Sequence, residues 1–390
     1  MKAAVDDFSL LATMGSHPVD ELATTATLHT LESAASPRQE SGERSSRDLV
    51  ARYWEILQAE RLSWTEHHRL VRLLGSGGHG YVYLSEGRGT DDFTLPVALK
   101  IFSPERHPDH RAYDDAMRQI ARIAAQVARI QQDNLIDVHH WIDRGWVRVM
   151  EMEWIDGFDL RRLLTRSMLE TLRRRVSPER LRTIDQVVVT DGPSQPRLKP
   201  GVATAIIRDC LAALDALHRT GIVHADVKPS NVMIKRTGNA KLIDVGSAFQ
   251  IGAPSARQGC TPAYAAPEVL EHAQWSPQSD LASLGYMLVE MLSGVSLFAG
   301  LATYEELWEA KRRLPERLDE VLPGEVVCND LLMSFCRRLI AVKPAERFVS
   351  AEEADSPQGG AAGFHRQLVK GDLSSEYDTE IRRWLAGLPD

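Results

Sequence analysis

Between positions 70 and 102 short apolar runs alternate with turn residues. The runs 70–74, 81–84 and 97–102 each read as a strand and together predict a β-meander. The period then changes. Met117, Ile120, Ala124, Val127 and Ile130 recur at helical spacing, whereas 146–154 returns to a strand-like pattern. Past Gly157 helical spacing dominates, most clearly over 203–217 and 281–292. The pattern predicts a small β-rich lobe followed by a larger helical lobe, an α+β arrangement. Upstream, Ser46 stands before Leu49, Tyr53, Ile56 and Leu57, so 46–68 is assigned to a helix packed on the small lobe. Residues 1–45 mix Ser, Thr, Ala, Glu and Pro without a sustained period, and disorder is expected there. Near the other end, Tyr377, Ile381, Trp384 and Leu385 behind Ser374 and Ser375 predict a capped amphipathic helix within an acidic tail, 351–390. That helix either packs on the larger lobe or recruits another protein. No solenoid-type repeat is present.

Composition narrows the class. With 43% hydrophobic and 26% charged residues over 390 positions, the chain is neither wholly disordered nor fibrous. The formal net charge is −8, but it is concentrated at the ends. Residues 1–45 carry seven acids against three bases and 350–390 carry eight against four, which leaves the middle neutral. A dedicated nucleic-acid binder is therefore disfavoured. Cys210, Cys260, Cys328 and Cys336 form no CxxC pair, which argues against structural zinc and fits a reducing cytoplasm. Asp6 and Asp7 interrupt the stretch where a signal peptide would be apolar, and no run approaches the roughly 20 apolar residues needed to span a bilayer. A cytoplasmic protein without a membrane partner is expected. One local excess stands out: 161–182 holds eight arginines and two glutamates, either a solvated helix face or a docking surface for an acidic partner.

The candidate chemistry lies in the neutral middle. Gly75-Ser76-Gly77-Gly78-His79-Gly80-Tyr81-Val82 is a GxGxxGxV run between two predicted strands. Glycines let a backbone approach phosphates, and the strand that follows disfavours a dinucleotide-binding turn, which a helix would follow. Lys100 ends an apolar strand, where it is either an edge lysine reaching solvent or a buried cation in need of an anion. His224-Ala225-Asp226-Val227-Lys228-Pro229-Ser230-Asn231 plants polar groups between two apolar segments, and Lys241-Leu242-Ile243-Asp244-Val245-Gly246 ends another with an acid. Singly these residues could cap turns. Jointly, carboxylates and an amide at this spacing can hold magnesium while one further carboxylate accepts a proton.

In this order the residues resemble the protein kinase family, specifically the eukaryotic-like Ser/Thr protein kinases found in bacteria, from about Leu70 to Arg347. The resemblance implies a bilobal kinase-like fold over 69–350, with an N-lobe at 69–153, a C-lobe at 154–350 and an Arg-rich insertion at about 165–199. It implies ATP and Mg2+ as cofactors and protein substrates as partners. Gly75, Gly77 and Gly80 would form the loop over the phosphates, and Lys100 would contact the α- and β-phosphates. Asp226 would accept the substrate hydroxyl proton, Lys228 would lie near the γ-phosphate, and Asn231 and Asp244 would be the magnesium ligands. Met152 resembles the gatekeeper, with Glu153 and Ile155 offering backbone to adenine; Val82, Ala98 and Met233 would sandwich the ring, and Asp159 would touch ribose. Glu268 is expected to pair with Arg347, and Asp280 to hold the catalytic loop.

Several positions depart from the family pattern. Ile123 stands where the glutamate partner of Lys100 is usual, with Gln119, Asp114 and Asp115 as possible substitutes. Ala225 replaces the arginine that pairs with a phosphorylated activation loop, and Val245 replaces a phenylalanine. His79, at the glycine-loop tip, is expected to be exposed. The reading is a Ser/Thr kinase that transfers the γ-phosphoryl of ATP. The alternatives are a nucleotide-binding pseudokinase, motivated by Ile123, or a nucleotidyl transferase on the same fold.

Overall fold

The computed structural model describes residues 46–59, 61–63, 67–89, 91–252, 261–271, 273–369 and 377–389. The expectation of disorder over 1–45 and the capping serines 374 and 375 lie outside them. Strands β1 (Arg61–Ser63), β2 (His67–Gly77), β3 (Gly80–Arg88) and β4 (Thr94–Phe102) are followed by helix α2 (His110–Val127) and strands β5 (Val138–Arg144) and β6 (Val147–Glu153). The strands form one antiparallel six-stranded sheet in the order β1-β2-β3-β4-β6-β5. β4 is buried from Val97 to Phe102, so it reads as a continuous apolar run rather than an alternating one. Asp109 caps α2 by accepting from the Ala112 N–H at 2.8 Å, and Tyr113, Met117, Ile123, Ala124 and Val127 form its buried stripe.

Helix α1 (Ser46–Gln58) buries Leu49, Tyr53 and Ile56, and the Tyr53 ring meets Tyr81 of β3 at 6.2 Å between centroids. The helix expected over 46–68 stops at Gln58. Beyond it, Arg61–Ser63 pairs with β2, because an edge strand satisfies backbone groups that an isolated helix end would leave open. Strand β5 was not expected from the sequence; its burial runs partly buried, exposed, exposed, partly buried, so its apolar alternation is weak.

The larger lobe begins with β7 (Gly157–Asp159) and the short helix α3 (Leu160–Leu163). The insertion then folds as α4 (Arg166–Arg175), α5 (Pro178–Val187) and a hairpin of β8 (Val189–Thr190) and β9 (Arg197–Leu198). Its buried residues Met168, Leu169, Leu172 and Ile184 tie it to the core. Helix α6 (Pro200–Arg219) leads through β10 (Ile222–Val223) to β11 (Val232–Lys235), β12 (Ala240–Leu242) and β13 (Phe249–Gln250). β7, β11 and β12 form a three-stranded sheet. Helices α7 (Pro267–Leu270) and α8 (Pro277–Ser293) follow; α8 is buried from Ser279 to Ser293, as a helix at the centre of a lobe must be when it is apolar all round. Around it lie α9 (Tyr304–Arg313), α10 (Leu318–Val321), α11 (Gly324–Val327) and α12 (Asp330–Leu339).

The chain beyond 350 continues the lobe. Helices α13 (Ala351–Ala354) and α14 (Ala361–Val369) pack on α6, and α15 (Tyr377–Leu385) packs on both α6 and α5. The spacing that predicted an amphipathic helix at 377–385 places Ile381, Trp384 and Leu385 inside, while Arg180 of α5 donates two hydrogen bonds of 3.2 Å to Glu380. Gly201 leaves room for Tyr377, whose ring would lie 2.1 Å from any Cβ there. Arg236, in the turn after β11, binds Asp156 at 3.0 Å and the Leu385 carbonyl at 3.4 Å, and its guanidinium lies 5.1 Å from the Phe158 ring centre. Among the described residues no helix is long and apolar enough to cross a membrane.

Candidate active site

Strand register gathers the upper wall of the cleft. Val82 of β3 stands opposite Lys100 of β4, and Ala98 of β4 stands opposite Met152 of β6. Below, Met233 of β11 pairs with Asp159 of β7. Ala98 and Met152 are buried, whereas Val82, Ile155, Asp159 and Met233 are partly open. The Asp159 carboxylate caps α3 by accepting from the Arg162 N–H at 2.8 Å. Glu153 is tied on two sides: its N–H donates to the Asp137 carbonyl at 3.0 Å, and its carboxylate takes the Asp137 N–H at 2.8 Å and pairs with Lys241. The chain following β6 is thereby fixed at its start.

Of the three glycines singled out, Gly80 alone is required by its surroundings. Its φ is +128° and a Cβ would sit 1.9 Å from the Ile101 carbonyl, so no other residue fits. Gly75 and Gly77 are exposed and have nothing within 4 Å. His79 departs from expectation. It is not exposed but partly buried, with its Nδ1 close to the Lys100–Asp244 pair. Burial and the neighbouring Lys100 ammonium push its imidazole below the usual histidine range.

The loop between β10 and β11 hangs from α8. Asp280, fully buried, accepts from the backbone N–H of His224 at 2.8 Å and of Ala225 at 2.9 Å, and lies 2.9 Å from His218 Nε2. Ala225 can thus hold a left-handed φ of 63°. The next residue, Asp226, receives three side chains: Thr261 at 2.7 Å, Lys228 at 2.7 Å and the Asn231 amide at 3.0 Å. Lys228 also donates to Thr261 at 2.7 Å, which closes a triangle around the carboxylate. With Asn231 Nδ2 given to Asp226, its Oδ1 remains an acceptor.

Across the cleft Lys100, 4% exposed, pairs with Asp244, which takes φ 63° and accepts from the Gly246 N–H at 3.0 Å. Burial opposes ionisation of Asp244, but the Lys100 ammonium overrides it and holds the carboxyl well below the usual range. Ile123 is buried, and the candidate substitutes on α2 do not take up Lys100, which pairs with Asp244 instead: Asp114 binds Arg148 at 3.1 Å, Asp115 binds Arg118 at 2.5 Å, and no hydrogen bond joins the half-buried Gln119 to Lys100 among the described residues. Among the described residues no cluster of three or more His, Cys, Asp or Glu side chains can hold a metal alone. One carboxylate and one amide oxygen, Asp244 and Asn231, do fit a hard divalent cation whose remaining ligands are phosphate oxygens and water.

The segment leading to α7 is clamped from below. Arg347, fully buried, makes two 2.7 Å bonds to Glu268 and donates to the carbonyls of Ala341, Val342 and Gln278. Three participants carry contacts to which the sequence assigned no role. Thr261 bridges Asp226 and Lys228, Lys311 holds the Ala263 carbonyl at 2.6 Å, and Tyr264 donates to Glu290, which also takes Gln195 of the insertion at 3.1 Å. A hydroxyl just upstream of Ala266-Pro267-Glu268 is the one local signal for Thr261. Much of the arginine excess serves the fold: Arg173 pairs with Asp191, Arg166 binds the carbonyls of Pro193 and Ser194, and Arg180 binds Glu380.

Comparison with known proteins gives a consistent result. The family model described as protein kinase domain matches residues 68–357. The serine/threonine-protein kinase PknD of Mycobacterium tuberculosis is 30% identical over 289 residues, covering 73% of this chain and 38% of that one. PknE of Mycobacterium bovis is 28% identical over 326 residues, with 83% and 50% covered, and PknL of Mycobacterium tuberculosis is 29% identical over 283 residues, with 71% and 61% covered. The chain thus spans between 38% and 61% of the length of these relatives.

Proposed function

Since the chain belongs to the protein kinase family, we propose that it transfers the γ-phosphoryl group of ATP to serine or threonine hydroxyls of protein substrates, in a cytoplasmic setting. The observation that carries this reading is the hydrogen-bonded triangle of Asp226, Lys228 and Thr261 facing the Lys100–Asp244 pair. Asp226 orients a substrate hydroxyl and takes its proton, and Lys228 offsets charge on the phosphoryl group as it moves. Lys100 exchanges its Asp244 contact for the α- and β-phosphates when nucleotide enters. Asp244 and Asn231 would hold Mg2+, which would supply positive charge to the phosphates when bound. The backbone of Gly75, Gly77 and Gly80 covers the phosphates. Val82, Ala98 and Met233 enclose adenine behind Met152, the backbone of Glu153 and Ile155 reads its edge, and Asp159 lies at the ribose. The arginines of 161–182 fit a solvated face that also anchors α15.

The test is incubation with Mg2+ and ATP labelled at the γ- or the α-phosphate, with Asp226→Ala and Asp244→Ala as controls. Transfer of γ-label to protein hydroxyls, lost in both variants, is expected. Transfer of α-label instead would mean nucleotidyl transfer, and nucleotide binding without any transfer would mean a pseudokinase; either result overturns the proposal.

A further inference from the structure

His79 is not assigned by the reading above, yet its ring lies where the chemistry would occur. A methyl group built on Gly246 would lie 3.0 Å from Asp244 Oδ1, 3.1 Å from Lys100 Nζ and 3.2 Å from His79 Nδ1, so these three atoms converge on one small region. The charged groups whose fields act on His79 are Lys100 and Asp244 on that side, Asp226 of the catalytic loop, and Arg106 beyond β4. A side chain whose Nδ1 sits beside the Lys100–Asp244 pair, with the charge of Asp226 also acting on it, borders the gap between the nucleotide anchor and the acceptor base. In a phosphoryl transfer that gap is occupied by the terminal phosphate.

The inward position of His79 is built into the backbone. The Ser103 N–H donates to the His79 carbonyl at 3.1 Å, which fastens the loop tip to the end of β4. Gly80 makes its turn at φ +128° against the Ile101 carbonyl. Arg106 lies on the other side of the tip, so close that a Cβ on Gly78 would sit 2.1 Å from its guanidinium. These features fix the backbone that carries the imidazole.

We propose that His79 contacts the terminal phosphate of bound ATP through Nδ1–H, a role that rests on reading this cleft as an ATP site. The contact is one that ADP lacks. A hydrogen bond to a charged oxygen inside a cleft is strong enough to separate the two nucleotides by about tenfold in affinity.

The experiment measures binding by calorimetry, in the presence of Mg2+, of ADP and of a β,γ-imido analogue of ATP to wild type, His79→Ala and His79→Asn. All proteins are first matched in thermal unfolding. His79→Ala is expected to weaken the ATP analogue about tenfold while leaving ADP unchanged, and His79→Asn, which keeps an N–H donor, to recover part of the loss. Tighter binding of both nucleotides by His79→Ala would make His79 a plug of the empty cleft and overturn the proposal. Equal weakening of both, or no change, would overturn it as well. Asp244→Asn separates the two levels: if it does not alter Mg2+-dependent binding, or if wild type binds neither nucleotide, the reading of the site fails and His79's role fails with it.

Discussion

Ala225 occupies a left-handed backbone conformation that costs an L-residue on the order of 1–2 kcal/mol, and the Asp280 carboxylate offsets that cost by taking two successive N–H groups. Asp280→Asn should therefore free the loop that carries Asp226. We expect a loss of phosphoryl transfer of at least tenfold with a lower melting temperature, read from label transfer and calorimetry on the same preparation. Asp209 carries a different liability. Burial, opposed by the Ala240 N–H at 2.6 Å, raises its carboxyl to about 6. A folded-state pKa above the unfolded one means the fold favours the protonated form. That stability is complete below about pH 4 and is lost as pH rises through about 6. Asp209→Asn should accordingly stabilise the protein on the order of 2 kcal/mol at pH 7.5 and much less at pH 4.5, measured as melting temperature against pH. At this scale the sequence was legible where polar residues interrupt apolar runs. Lys100, Asp226, Asn231 and Asp244 stand out for that reason. His79 and Thr261 do not, because their roles depend on which way a loop turns, and a glycine run or a lone threonine leaves that open.

The clamp between Glu268 and Arg347 joins α7 to the chain after α12. Five donor contacts satisfy the buried guanidinium, so removing its partner leaves an uncompensated charge rather than merely a lost contact. Glu268→Ala should cost about 3–5 kcal/mol in urea unfolding, whereas exposed pairs such as Arg317–Glu320 should cost less than about 1 kcal/mol when broken. β4, α2, α6 and α8 could be read from periodicity because each buries a continuous run or a clear stripe. β1 and β5 could not, since their places are set by neighbouring strands more than by their own apolar residues. The helical spacing near 377–385 was equally clear, but which surface it covers was fixed by Gly201 beneath Tyr377 and Arg180 beside Glu380, far away in sequence.

For the molecule as a whole, the last described helix belongs to the core of the larger lobe. Trp384 is buried against it, and truncation to alanine should cost about 3–5 kcal/mol and lower the melting temperature, an effect that salt should leave unchanged. Glu380→Lys should act more weakly and respond to salt, since its ion pair with Arg180 is partly open to solvent. The same helix has a mechanical consequence. Arg236 links the turn after β11 both to Asp156 and to the end of α15, which fastens the strand leaving the upper lobe to the rigid body below it. At the end of β6, Glu153 is held by Asp137 of the upper lobe and by Lys241 of the larger one. Trp154 and Ile155 thus run between two fixed points, one of them set in part by a helix that begins more than 200 positions further along the chain.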